Sequence, residues 1–248
     1  MLGVKATLDF YQTIAVDQLQ LPGIVAVATG VGSPFLNVVL DVRDKKANNK
    51  TVIPVLRDFF HAHQVPWSWL VMANAVDPNL TADGLVLLEQ APSMYVDLTQ
   101  PLPVMQRADI RIAEMGKDDD LSGWIQPLQE GFPATESQTK QDIYQQLNAR
   151  LLHQGESKLR HFVVYEQETV AAVGTLFISG DTVMLHNLAT KKQFQRLGIA
   201  SALIMHLMAE AKQLGMKHCF LDTSTDTVKL YQKLGFTVYC HTQFFVEA

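Results

Sequence analysis

Apolar positions along this chain fall into short runs with two different spacings. Ile24–Ala28 and Leu36–Val42 are nearly unbroken apolar runs on either side of Thr29-Gly30-Val31-Gly32-Ser33-Pro34. That pattern predicts two strands around a turn. Val52, Val55, Leu56, Phe59 and Phe60 recur at helical spacing and predict a helix over 52–63. Trp67–Met72 and Met94–Leu98 predict two further strands, after which Pro101 and Pro103 make a plausible linker. The expected organisation is therefore two segments, 1–103 and 104–248, joined near residues 99–107.

The second segment has the stronger patterning. Asp109–Ala113 predicts a strand, and Leu121, Trp124, Ile125 and Leu128 predict a helix. Asp118-Asp119-Asp120 before that helix complements its dipole, a simpler role than metal binding. Thr135 and Gln138 form a capping-box signature for a helix running through Ile143, Leu147 and Leu151. Three strands follow at His161–Glu166, Thr169–Ile178 and Thr182–Ala189, with connections short enough for antiparallel hairpins. A long helix then buries Ile199, Leu203, Ile204, Leu207, Met208, Ala211 and Leu214 and stops at Gly215. A strand over Lys217–Asp222, a helix carrying Tyr231 and a last strand through Phe245 complete the chain.

Composition and charge remove several function classes. A formal charge of -5 without any Lys/Arg block lacks the footprint of a nucleic-acid binder. Asp17 to Asp41 has no charge between its ends, but Gln18, Gln20, Pro22, Gly23, Gly30, Gly32, Pro34 and Asn37 break it, so no membrane span is expected. Met1–Phe10 has no basic segment leading into an apolar core, so no signal peptide is expected. Two cysteines give no disulfide framework, and a reducing cytoplasm fits. His218-Cys219 and Cys240-His241 resemble metal ligands, but neighbouring strand side chains face opposite ways. His61 and His63 diverge on a helix for a similar reason. No metal is expected. Gly30 and Gly32 run into Pro34 rather than a helix, which excludes a dinucleotide fingerprint.

The decisive segment joins the third of these strands to the long helix. Gln195-Arg196-Leu197-Gly198-Ile199-Ala200 places a glycine and a small residue at a helix N-terminus, where free N–H groups and the positive dipole end favour a phosphate. In this position Gln195-x-x-Gly198-x-Ala200 resembles the [Gln/Arg]-x-x-Gly-x-[Gly/Ala] acetyl-CoA motif of the GNAT superfamily. Val228-Lys-Leu-Tyr231-Gln-Lys-Leu-Gly235-Phe236 is similar to the closing motif of that superfamily. Ser224 departs from it, since many members carry asparagine seven residues before the tyrosine.

The resemblance implies an α/β (α+β) GNAT fold: a mixed, mostly antiparallel sheet flanked by helices, preceded by a smaller, degenerate GNAT-like unit without its own coenzyme motif. It implies an N-acetyltransferase using acetyl-CoA as co-substrate, in which an amine attacks the thioester directly, without an acyl-enzyme. The backbone of Leu188, Ala189 and Thr190 would follow the pantetheine arm, with the Leu188 N–H polarising the carbonyl. The amides of Leu197, Gly198, Ile199, Ala200 and Ser201 would hold the pyrophosphate, assisted by Gln195, Arg196 and, as a further cation, Lys192; Ser224 would border the same site. Tyr231 is the expected proton donor to the leaving thiolate, and His186, then Asp222, are the candidate bases. The acceptor is expected to be a small-molecule or peptide amine and the protein a monomer or homodimer. A non-catalytic acyl-CoA-binding module and a transferase of a longer acyl group are the alternative readings.

Overall fold

The structure is a computed structural model describing residues 2–41, 49–75, 78–103, 107, 109–131, 147–149, 151–152 and 158–248. One sheet of eleven strands, counted among the described residues, runs through the whole chain. Its strands are β1 (Asp17–Leu21), β2 (Ile24–Ala28), β3 (Val38–Asp41), β4 (Ser68–Ala73), β5 (Leu85–Asp97), β6 (Ile110–Glu114), β7 (Leu159–Glu166), β8 (Thr169–Ser179), β9 (Thr182–Thr190), β10 (His218–Asp222) and β11 (Thr237–Glu247). Their spatial order is β1-β2-β3-β4-β11-β5-β10-β9-β8-β7-β6.

That order repeats about its centre. β1, β2 and β3 are antiparallel neighbours, as are β7, β8 and β9. β3 meets β4 in a parallel ladder from Val38↔Ser68 to Leu40↔Leu70; β9 meets β10 in the same way from Thr182↔His218 to Met184↔Phe220. Each half then gives its last strand to the other, β11 pairing with β4 and β5 with β10, both antiparallel, while β5 and β11 pair along the centre. The chain is thus two similar halves with exchanged strands. Where the sequence placed a boundary, at 103/104, the sheet itself runs unbroken through both halves.

Helices cover both faces. The helix Leu2–Ile14 (α1) shares a core with Val27, Leu40 and Leu70 of the first half and Phe177, Met184 and Phe220 of the second. On the opposite face Ile53–Ala62 (α2) packs Leu56 and Phe60 against Trp69 and Phe245. The helix Ile199–Gln213, called α5 below, packs Leu203 and Leu207 on Val183, Leu185 and Leu221 of that face. Each such leucine contributes about 1.5–3 kcal/mol by leaving water. Between them in sequence lie the short helix Pro78–Ala82 (α3) and Ser122–Gly131 (α4), and Val228–Lys233 (α6) follows. The capping-box residues Thr135 and Gln138 lie outside the described residues; Leu147 and Leu151 are buried in the α1-face core. Cys219 and Cys240 are buried free thiols. No described helix is long and apolar enough to cross a membrane.

Candidate active site

Two local irregularities shape β9. Its register with β8 passes from Thr175↔His186 to Val173↔Ala189, so Asn187 and Leu188 together oppose the single residue Gly174. This is a β-bulge whose first residue, Asn187, has φ 54, a left-handed conformation that asparagine tolerates. A Cβ on Gly174 would lie 2.9 Å from Leu188 Cδ2, so the glycine leaves the bulged leucine room to turn into the α5 core. The Asn187 amide donates to Thr175 Oγ1 (3.2 Å), which also lies 2.8 Å from His161 Nδ1. Beyond Met184↔Phe220 the parallel ladder with β10 stops, although β9 continues to Thr190. Leu188–Thr190 therefore flank a split in the sheet.

The split opens toward the N-terminus of α5. Arg196 (φ 61) and Gly198 (φ 80) are both left-handed, and Gly198 is the N-cap without any side-chain capping bond. The first amides of such a helix have no intrahelical acceptor. Among the described residues, only Arg107 Nη1 comes within 4 Å of a Cβ built on Gly198, at 3.9 Å, so the space above the glycine is open. Arg107 comes from the stretch between the halves; it donates to the Leu197 carbonyl and is paired with Asp109. Gln195 Nε2 donates to Thr190 O (3.1 Å), tying the loop back to β9. Open backbone, free donors and a nearby guanidinium fit a pyrophosphate.

The split has a different chemistry on each side. Tyr231 of α6 is buried at 7 % exposure in the α5-side core, with its ring edge-on to Phe236. Burial raises its phenol pKa against an opposing bond to Thr223, so the hydroxyl is protonated at neutral pH. On the α1 side, a cavity of about 190 Å3 is bounded by Met184, His186 and Asn187 of β9 and by Asp222 of β10. Its remaining wall comes from the first half: Thr7, Phe10 and Tyr11 of α1, with Leu36 and Leu70. Asp222 is reached by solvent yet surrounded by protein, as on the floor of a cleft. Desolvation raises its carboxyl pKa, offset to some extent by Ser93 and Thr242; the Thr242 hydroxyl donates to Oδ1 at 3.1 Å.

His186 stacks on Phe10, ring centroids 4.0 Å apart, and burial lowers its pKa to about 4. It is neutral at pH 7 and accepts a proton less readily than an ordinary imidazole. Ser224 is exposed and bonds Thr227 Oγ1 at 3.0 Å; the neighbouring Thr223, not Ser224, meets the tyrosine. Lys192 is exposed, with its backbone amide on Glu130. Asn187, Gly174 and Arg107 were not singled out from the sequence. A polar residue following a histidine inside an apolar strand was the one available signal, and it marks the bulge.

Two histidines with depressed pKa values make stability depend on pH. His161, fully buried, also has its pKa lowered to about 4 by desolvation, against 6.5 for the free side chain. Between those values the unfolded chain binds more protons than the native one, so stability falls as pH drops from 6.5 to 4. Asp222, with a raised pKa, acts in the opposite sense. Urea midpoints should decline over this window, each histidine costing on the order of 3 kcal/mol at its acid end. His161→Asn should remove about half of the decline; an unchanged slope would mean that His161 titrates normally.

Residues 122–236 match the model of the Acetyltransferase (GNAT) family. A sequence comparison with curated proteins finds no match. Among solved structures, a GCN5-related N-acetyltransferase from Kribbella flavida superposes over 98% of this chain and 93% of its own, with TM-score 0.71 and 12% identity. A functionally unknown conserved protein from Staphylococcus epidermidis gives TM-score 0.73 at 10% identity, covering 94% of both chains. A GCN5-related N-acetyltransferase from Sphaerobacter thermophilus gives 0.61 at 13% identity, covering 90% of this chain and 76% of its own. At these identities the likeness carries the fold alone, and it spans both halves. Within that fold, the chain carries a GNAT acetyltransferase domain over residues 122–236.

Proposed function

We propose that this protein is an acetyl-CoA-dependent N-acetyltransferase, with its reaction centre in the split between β9 and β10 and residues 1–103 as a degenerate GNAT-like half. Three features support the reading: an open helix N-terminus at Gly198, a buried protonated phenol at Tyr231 and a cavity bounded by the Asp222 carboxylate. The amides of Leu197–Ser201 hold the pyrophosphate, with Gln195, Arg196 and Arg107 at its margin. The backbone of Leu188, Ala189 and Thr190 lines the pantetheine arm, and the Leu188 N–H polarises the thioester carbonyl.

The acceptor enters as an ammonium, since an alkylamine pKa near 10.4 leaves almost none neutral at pH 7. Asp222 takes one proton and passes it to solvent. The nitrogen then forms its bond to the carbonyl carbon as the carbon–sulfur bond breaks. Tyr231 donates its proton to the departing sulfur and recovers one from the nitrogen through solvent. His186 shapes the acceptor side.

Calorimetry of the full chain should give one equivalent of acetyl-CoA, because the first half has no glycine N-cap at α2, whose N-cap is Val52. Thiol release should then depend on an added amine. Two equivalents, or thiol release indifferent to amines, would contradict the reading.

A further inference from the structure

We infer that the acceptor is a small primary amine with an apolar body and no anionic group. This inference rests on the acetyltransferase reading and concerns the cavity on the α1 side. The cavity has a volume of about 190 Å3, well above what a single water needs. It holds one ring or a short alkyl chain with its amino group. A peptide acceptor would leave all but its first residue outside the cavity.

Charge narrows the class further. Among the described residues, Asp222 is the one formally charged group bounding the cavity, and no lysine or arginine does so. His186 is neutral there. A carboxylate or phosphate on the acceptor would be desolvated beside Asp222 without a cation to meet it, which is costly. An ammonium finds the carboxylate instead.

The walls suit an apolar body. Phe10 is held face to face on His186, and Tyr11 has its hydroxyl on Phe35 O at 2.9 Å, leaving its ring toward the cavity. Leu36 and Leu70 complete this side. All four belong to the half that lacks a coenzyme cradle. That half therefore serves catalysis as the acceptor wall.

The test uses the full chain with phenethylamine, and phenylalanine as the same body bearing a carboxylate. Calorimetry without coenzyme reads recognition, and thiol release with acetyl-CoA reads turnover. Phenethylamine should bind and react with kcat/KM about a hundredfold or more above phenylalanine, the usual scale of discrimination by an uncompensated group. Leu36→Arg, which adds a cation to a partly exposed wall position, should narrow that ratio to below about tenfold and keep acetyl-CoA affinity within about twofold. If this variant loses acetyl-CoA binding through misfolding, the wild-type ratio decides alone. Phenethylamine and phenylalanine reacting alike, or a peptide amine outrunning both, would overturn the inference and leave the acetyltransferase reading intact. Failure to bind acetyl-CoA would overturn that reading, whereas the titration without coenzyme still shows whether the cavity takes the amine.

Discussion

Gly198→Glu should yield a folded protein that no longer binds acetyl-CoA. The backbone at this N-cap has φ 80, so any L-residue there is strained by about 1–2 kcal/mol, tolerable for a domain of this size. The larger effect is local. A glutamate side chain would fill the open space above the helix N-terminus, take the free amides for its own carboxylate and repel a pyrophosphate. Affinity should fall by about a hundredfold or more, equivalent to roughly 2.7 kcal/mol. Gly198→Ala separates the causes, since it adds strain and a methyl group without charge; its loss should be smaller. Calorimetric affinity unchanged in the glutamate variant would remove the pyrophosphate site from this loop.

Tyr231→Phe should preserve folding and acetyl-CoA affinity and lower kcat by about ten- to a thousand-fold, the range for loss of a general acid. The ring would keep its packing against Phe236 and the α5-side core. The bond to Thr223 and the proton near the departing sulfur would go. The competing role is plain packing under the last strand, and the phenylalanine variant retains that role completely. A turnover within about twofold of wild type would therefore assign Tyr231 to packing and protonation of the thiolate to water.

The second half was legible because its local signals agree with its tertiary environment. The apolar run of β8, the α5 periodicity and the glycine before Ile199 each point to one element, and each is found there. Legibility failed where the local pattern gave no clear element. In α1, apolar residues at 2, 4, 6, 8 and 10 alternate as in a strand, whereas burial falls on Ala6, Thr7, Tyr11 and Ile14 at helical spacing. In β5, Pro92 and the polar pair Glu89-Gln90 hid most of a strand that begins at Leu85. Pro92 is accommodated where pairing with β10 ends, at Ser93↔Asp222. The exchange of β5 and β11 between the halves depends on long-range pairing, which no local spacing encodes.

The candidate site divides in the same way. The loop Gln195–Gly198 and Tyr231 follow from local motif spacing. The acceptor cavity does not, because α1, Leu36 and Leu70 reach it only through the shared core of the α1 face. His186 stood first among the bases when only its strand position was known. Its stacking on Phe10 and depressed pKa weaken it as a base, and the proposed mechanism uses Asp222 instead.

Amide hydrogen exchange with and without acetyl-CoA tests the coenzyme site most directly, since it reads the backbone donors themselves. Slowed exchange should concentrate at Leu197–Ser201 and at Leu188–Thr190, with the strands Ile24–Ala28 and Val38–Asp41 of the first half unchanged. Protection confined to the first half, or absent from the α5 N-terminus at saturating acetyl-CoA, would contradict the placement of the coenzyme in the split between β9 and β10.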